Sequence, residues 1–274
     1  MKADKITSCY IGPQISPEQF IAEHFFLYLV KGTMNAYDGH KNYRLQAGEC
    51  CMIRKNRLAR YNKLTENGVF EKVVVIFDSE FLKNFLDTHP LAVTAAATND
   101  AFIPVKKNTL ITNFLQSLSV YYNTQGKINK IFAGVKRTEL LLILLQQNPD
   151  LANVLFDFGS PGKIDLEAFM NSNFKFNVAI QRFAYLTGRS LTSFKRDFER
   201  IFNDTPGRWL VNKRLQEAYF LMDKQDRKAS DIYIEVGFEN LSHFSYAFKK
   251  KFGVAPAQLA GRNRKTARLV PQKK

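Results

Sequence analysis

Apolar residues in the last third of the chain recur at the spacing of an amphipathic helix. Phe244, Phe248 and Phe252 stand at positions i, i+4 and i+8, so one face of a helix ending at Phe252 is predicted to be buried. A shorter apolar stripe predicts a helix over residues 231–236, and Gly237 lies between the two segments. Two helices joined by a glycine-centred turn are typical of a helix-turn-helix.

The same pattern occurs a second time upstream. Residues 178–186 predict a first helix, Gly188 corresponds to Gly237, and a second helix is predicted to end at Phe202. A repeat of this kind indicates a duplicated supersecondary unit. Five positions recur at an offset of fifty residues: Phe194, Phe198, Phe202, Pro206 and Trp209 correspond to Phe244, Phe248, Phe252, Pro256 and Leu259.

A long helix is predicted to join the two units, and a short helix over residues 165–171 is predicted to precede them. Pro206 suits the first turn of the joining helix, where no amide donor is needed. A helix over residues 206–224 is roughly 28 Å long, close to the ~34 Å between successive major grooves on one face of DNA. One chain is therefore predicted to place both second helices in adjacent grooves.

The faces opposite the phenylalanine stripes carry polar and basic residues. In the upstream helix, Phe194, Phe198 and Ile201 are predicted to face inward, which leaves Lys195 and Arg196 outside. A guanidinium can donate two hydrogen bonds to O6 and N7 of guanine, so Arg196 is a candidate for a base contact. Lys195 is equally compatible with phosphate binding. A helix with this division of faces suits the major groove.

The segment VGFENLSHFSYAFKKKFGVAP resembles the signature of the AraC/XylS family of transcription regulators. The resemblance extends over about residues 165–259 and implies two helix-turn-helix units joined by a long helix. It also implies an activator that contacts RNA polymerase, with base readout by Thr192, Lys195 and Arg196. Three residues depart from the family pattern: Tyr233, Leu241 and Tyr246 stand where alanine, glutamine and arginine are common.

Two sets of residues are predicted to contact double-stranded DNA. Because of these departures, the second unit is predicted either to read bases weakly or mainly to hold the DNA backbone. His243 is alternatively a helix-surface residue packed beside Phe238. The candidates for base readout are Thr192, Lys195, Arg196, Ser242, His243 and Tyr246, and the candidates for backbone contact are Ser190, Ser193, Arg200, Asn240, Lys249 and Lys250.

The positive charge is concentrated on the duplicated part. The chain carries a formal net charge of +15. From residue 163 onward, 22 Lys and Arg stand against 11 Asp and Glu, a net +11, which leaves +4 for residues 1–162. A basic surplus on the repeat is what a polyanion-binding module requires. The last residues, 263–274, are basic and lack a hydrophobic period, which predicts a tail that adds phosphate contacts.

The upstream half has a different period. Residues 20–78 contain short segments rich in β-branched and aromatic residues, separated by turn dipeptides such as Asp38-Gly39 and Asn67-Gly68, and they predict a small antiparallel β-barrel. The segment RLQAGECCMIRKN resembles the cupin-like jelly roll of the AraC/XylS family. Helices are predicted within residues 79–147, over residues 79–87, 109–122 and 129–147. The expected fold class is α+β with two domains: a cupin-like antiparallel β-barrel with a helical hairpin, and an all-α domain with two helix-turn-helix units.

A Gly/Pro cluster at residues 159–162 predicts the domain boundary. Residues 1–160 are expected to form a sensor and dimerisation domain, and residues 163–262 the DNA-binding domain. Residues 109–147 predict a helical hairpin whose last helix has more apolar residues than one buried face needs. That helix either packs between the sheet and its neighbour or pairs with its copy in a homodimer. The candidates for dimerisation are Phe132, Val135, Leu141, Leu142 and Leu145.

No catalytic, metal or cofactor site is predicted. A metal-binding cupin needs clustered histidines with a carboxylate, whereas His24, His40 and His89 are scattered and are expected to be surface or packing residues.

Cys50 and Cys51 should point to opposite faces of a strand, one in the core and the other open to a sensing role. Three cysteines without metal-ligand spacing, no signal-like segment and no membrane-length apolar run predict a cytoplasmic protein that does not contact a membrane.

These patterns together predict a sequence-specific transcription regulator, an activator by family resemblance. Its N-terminal domain is expected to sense a signal, to dimerise, or both, and the signal is either a small-molecule effector or a regulatory protein. One alternative is an activator that needs no ligand and is controlled by a regulatory protein. Another is an enzyme, either a cupin-type catalyst or an alkyl acceptor fused to the DNA-binding domain, which the scattered histidines and the upstream position of the cysteines disfavour.

Overall fold

The computed structural model describes residues 6–10, 19–94, 100–123 and 128–259 of the chain. The chain divides into two compact units, Met1–Ser160 and Pro161–Lys274. The basic tail predicted at residues 263–274 lies outside the described residues.

The first unit is an antiparallel β domain with helices, as predicted. Its strands are β1 (Ile6–Tyr10), β2 (Phe20–Ile21), β3 (His24–Lys31), β4 (Thr33–Tyr37), β5 (Asn42–Gln46), β6 (Cys50–Ile53), β7 (Arg57–Leu58), β8 (Arg60–Leu64), β9 (Glu71–Phe77) and β10 (Phe102–Val105). A five-stranded sheet has the order β1-β9-β3-β6-β10, a three-stranded sheet has the order β5-β4-β8, and β2 pairs with β7.

The five-stranded sheet is covered on both faces, because alternate residues of its strands enter different cores. Phe26 and Cys50 belong to a core shared with the helices, whereas Leu27 and Cys51 belong to a core shared with the three-stranded sheet. Both thiols are therefore buried, which corrects the expectation that one is accessible. Burial raises the pKa of Cys50 to about 11 and raises that of Cys51 further, which disfavours a thiol sensor.

The histidines of this unit do not converge. His24 is buried, its Nδ1 accepts a hydrogen bond from the Lys55 amide, and burial lowers its pKa to about 3. His40 is exposed, and His89 stacks on Phe85 at 4.4 Å between ring centroids. Within the described residues, no group of three His, Cys, Asp or Glu side chains is arranged to hold a metal. Of the helices described, none has the length and apolar character needed to cross a bilayer.

The helices of the first unit are α1 (Ser79–Thr88), α2 (Thr109–Leu118), α3 (Lys130–Gln147) and α4 (Leu151–Leu155). The helix predicted over 109–122 ends earlier, at Leu118, and continues as one 3₁₀ turn, Ser119–Tyr121. The Asp78 side chain caps α1 through the Phe81 amide at 2.9 Å and accepts a hydrogen bond from Arg137 of α3 at 2.7 Å. This ion pair ties α3 to the start of α1.

The apolar residues of α3 separate into a buried and an exposed set. Leu141 is completely buried, so it stabilises the core and cannot meet a partner chain, which corrects its place among the dimerisation candidates. Leu145 is half-buried against the same core. Four side chains remain exposed and form what we call the α3 apolar surface: Ile131 (77%), Phe132 (49%), Val135 (63%) and Leu142 (45%).

The second unit is all-α, as predicted. Its helices are α5 (Leu166–Asn173), α6 (Ile180–Leu186), α7 (Leu191–Phe202), α8 (Pro206–Gln225), α9 (Ala229–Ile232) and α10 (Leu241–Phe252). The bounds of α7 and α10 differ by fifty residues at both ends, so the sequence repeat is a structural repeat. α8 packs against both copies.

Candidate nucleic-acid interface

Helix α7 buries its phenylalanine stripe and exposes its basic face. Phe194 and Phe198 have no exposed surface, whereas Thr192, Lys195 and Arg196 are exposed. Ser190 caps the start of the helix: its hydroxyl accepts a hydrogen bond from the Ser193 amide at 3.2 Å, which satisfies one of the free amides of the first turn. The three residues are thus presented on one side of a well-packed helix.

The turn before α7 is held by a glycine in the left-handed region. Gly188 has φ of +65°, and a Cβ at this position would lie 2.4 Å from the Gly162 carbonyl carbon. Arg189 extends the contact by donating to the Ile164 carbonyl at 3.0 Å. The turn between α6 and α7 therefore packs directly against the backbone that precedes α5, an approach that only glycine permits.

An acidic residue stabilises α7 from its buried side. Asp197 is buried and accepts a hydrogen bond from Nε of Arg189 at 3.2 Å, and the exposed guanidinium groups of Arg196 and Arg200 lie 3.5 and 3.8 Å from its other oxygen. The hydrogen bond from Arg189, with help from the other two cations, lowers the pKa of Asp197. Sequence reasoning missed this residue, although its position between Phe194 and Phe198 places it on the inward side.

One predicted inward residue of α7 lies outside. Ile201 is 39% exposed. The end of the helix is covered instead by Phe202, whose ring lies 4.3 Å from that of Phe198 and 4.6 Å from that of Trp209. The buried stripe therefore keeps its four-residue spacing up to Phe202. Trp209, in the first turn of α8, packs against that last residue.

Helix α10 has a capped start and a buried phenylalanine stripe, as α7 has, but it exposes different side chains. Asn240 caps it by accepting from the His243 amide at 2.8 Å, and Phe244 and Phe248 are completely buried. The candidates opposite them, Ser242, Tyr246, Lys249 and Lys250, are all exposed. His243 is exposed too, with its ring edge-on to Phe238 at 5.6 Å, so the packing alternative describes its contacts in the structure.

The helix before α10 is shorter than predicted. Helix α9 ends at Ile232, and residues 233–237 continue as hydrogen-bonded turns up to Gly237, which has φ of +99°. This segment has β-branched residues at alternate positions, which lose side-chain freedom in a helix. Tyr233 is half-buried in the core of the second unit, in the place where the first copy has the small Ala184.

Arg214 of α8 connects the two copies. It is buried, and its guanidinium donates to the carbonyls of Phe174 at 2.7 Å, Phe176 at 2.8 Å and Gly237 at 3.0 Å. Burial lowers its pKa to about 10, so it stays charged at neutral pH. The segment before α6 and the turn before α10 are therefore fixed to one side chain. Sequence reasoning missed this role, because an arginine on a long polar helix gives no signal of burial.

The joining helix α8 lies between α7 and α10 in the chain and packs against both. Helix α8 has 20 residues, which corresponds to roughly 30 Å. The last turn of α10 is fixed to it, because Nζ of Lys251 donates to the backbone carbonyl and side-chain oxygen of Asn212 at 3.1 and 2.9 Å. Of the three lysines at the end of α10, Lys249 and Lys250 are the exposed ones.

Comparisons with known proteins agree with this geometry. Residues 183–262 match a helix-turn-helix domain model, and residues 24–154 match the ExsA N-terminal regulatory domain. The thermoregulatory protein LcrF of Yersinia pestis is 30% identical over 247 residues, which cover 84% of this chain and 86% of LcrF. The chain belongs to the AraC/XylS family. It is a DNA-binding transcription regulator with an N-terminal regulatory domain.

Other members of the family match over similar lengths. The HTH-type transcriptional regulator ExsA of Pseudomonas aeruginosa is 22% identical over 260 residues, covering 93% of this chain and 92% of ExsA. Among solved structures, ToxT from Vibrio cholerae is 14% identical with a TM-score of 0.40, covering 94% of this chain and 98% of that one.

Proposed function

We propose that this regulator activates transcription by placing α7 and α10 in successive major grooves of one DNA duplex, where it also contacts RNA polymerase. The observation that carries the proposal is the repeat itself. Each helix has a capped start, a buried phenylalanine stripe and an exposed polar face. Both copies pack on α8, whose length is close to the groove separation. Base readout is assigned to Thr192, Lys195 and Arg196 in the first copy.

Replacing Arg196 with alanine is expected to weaken binding to the specific site by about 1–3 kcal/mol and to relax base preference at one position. The side chain is 77% exposed, so the fold should be unaffected. The measurement is a fluorescence-anisotropy titration of the full chain on a footprinted operator and on single-base variants of it.

Lys250→Ala is the matched control, because Lys250 is an exposed cation of the other recognition helix and is assigned to phosphate. It should weaken binding to all sequences evenly and reduce the salt dependence by about one counterion. Unchanged operator affinity and base preference in Arg196→Ala would contradict the assignment.

We also propose that the regulator forms a homodimer through the α3 apolar surface. The four side chains of that surface are exposed on one helix, although the core beneath them is complete. Exposed apolar clusters of this kind mark interaction sites.

Val135→Glu is expected to weaken the dimer by about tenfold or more, because each copy would bring a charge into an apolar contact. Sedimentation velocity over a concentration series measures the dissociation constant. Leu91→Glu is the control, since Leu91 is an exposed apolar residue (42%) of the same unit that lies outside α3. A wild-type chain that stays monomeric at all concentrations would refute the proposal.

The signal is proposed to be a small molecule bound in a cavity of about 590 Å³ beside β5, β6 and β10. The volume is typical of ligand sites. Apolar side chains of Met34 and Phe102 line it together with the charged groups of Arg44, Glu49 and Lys107. A regulatory protein that binds the α3 apolar surface is the alternative. Mass spectrometry of the purified chain distinguishes them by the presence of a retained ligand.

A further inference from the structure

The two recognition helices present chemically different surfaces at equivalent positions. The offset of fifty residues places Tyr246 where the first copy has Arg196, and Ser245 where it has Lys195. Residues 241–247 include no Lys, Arg, Asp or Glu. The positive charge of α10 lies in its last turn instead.

Two apolar side chains of this neutral segment are exposed. Tyr246 is 68% exposed and Leu241 is 39% exposed. Leu241 stands three residues before Phe244 and seven before Phe248, so it lies on the line of the buried stripe. Tyr246 lies on the opposite side of the helix, and the core does not need it. Both lie in the first two turns of α10, the part of a recognition helix that reaches the base edges.

Apolar side chains in the major groove have one specific partner. The C5-methyl group of thymine is the apolar feature of the base edges, and it distinguishes thymine from cytosine. A tyrosine ring can cover such a methyl group, whereas it offers guanine none of the paired donors that Arg196 offers. A nearby hydroxyl, that of Ser242, can serve as donor or acceptor to a base edge.

We propose that α10 reads thymine methyl groups of the operator through Tyr246. One segment holds a guanine for Arg196 of α7, and the next segment, one helical turn away, holds thymines for α10. Lys249 and Lys250 supply phosphate contacts without base preference. The inference rests on the proposed function and adds the base class that the second copy recognises.

Deoxyuridine substitution tests the proposal, because it removes only the methyl group. An operator is first selected from a random DNA pool with the full chain. Each thymine of the segment protected by α10 is then replaced by deoxyuridine, and the dissociation constant is measured by anisotropy. Loss of one covered methyl should weaken binding about fourfold. Thymines elsewhere in the site should tolerate the same change.

Variants of Tyr246 assign the effect to the side chain. Tyr246→Ala should bind equally well with thymine or deoxyuridine at the position that Tyr246 covers, whereas Tyr246→Phe should keep the difference. Because Tyr246 is largely exposed, neither change should alter the melting temperature. A selected segment without thymine, or one where deoxyuridine has no effect, would overturn the inference while leaving sequence-specific binding intact. A pool without any enriched sequence would contradict the proposed function, and this inference with it.

Discussion

Replacing Arg214 with alanine is expected to lower the free energy of unfolding of the second unit by about 3–5 kcal/mol. The change leaves the carbonyls of Phe174 and Gly237 without their donor, and the carbonyl of Phe176 keeps only the Val178 amide at 3.2 Å. A buried carbonyl without a partner costs about 1–3 kcal/mol. The substitution also removes the cost of burying a charged guanidinium, so the expected loss is smaller than the sum of the separate hydrogen-bond losses.

The chain provides its own probe for this measurement. Trp209 is the only tryptophan and lies at the start of α8, so its fluorescence in a urea titration follows the second unit. Arg214→Lys is the control, because it keeps the positive charge. One ammonium group cannot donate to all three carbonyls in the geometry of a guanidinium, so we expect a loss of unfolding free energy between that of the wild type and that of the alanine variant. An alanine variant within about 1 kcal/mol of the wild type would show that Arg214 does not hold the two copies together.

The second large effect is expected at Gly188, where alanine should cost about 2–5 kcal/mol. A left-handed residue with a Cβ costs about 1–2 kcal/mol, and crowding a packed contact adds about 1–3 kcal/mol. The added Cβ would lie 2.4 to 2.5 Å from the backbone atoms of Gly162 and Lys163. These are backbone atoms, which cannot rotate away as the end of a long side chain can.

Gly207 provides a matched control for this prediction. It lies in α8, and a Cβ there would have no neighbour within 4 Å. Gly207→Ala should be neutral or stabilise the unit by up to about 1 kcal/mol, because alanine favours the helix. The same urea titration compares the two. Equal stabilities of both variants would contradict the structural role of the Gly188 turn.

The parts of the fold that follow from local pattern were predictable from sequence. The stripe of Phe244, Phe248 and Phe252 defines α10 because its period matches a helix, and its recurrence fifty residues upstream defines α7. Ser190 and Asn240 occupy cap positions that any helix start favours. The exposure of Tyr246 follows from the same geometry, since it lies opposite the buried stripe.

Contacts between distant segments were not predictable. Arg214 meets carbonyls 23 to 40 residues away, and nothing in its own neighbourhood distinguishes it from an exposed arginine. In α3, apolar residues surround the helix, so period alone cannot tell that Leu141 is in the core while Leu142 is exposed. Cys51 is buried because a second sheet covers its face, a fact of tertiary structure.

The central claim is that one chain places α7 and α10 in successive grooves of the same duplex. Hydroxyl-radical footprinting of the full chain on its selected operator tests this most directly. We expect protected blocks on one face of the DNA, about 10–10.5 base pairs apart, with Arg196→Ala weakening one block and Tyr246→Ala the next. A single block, or two variants that weaken the same block, would contradict the account.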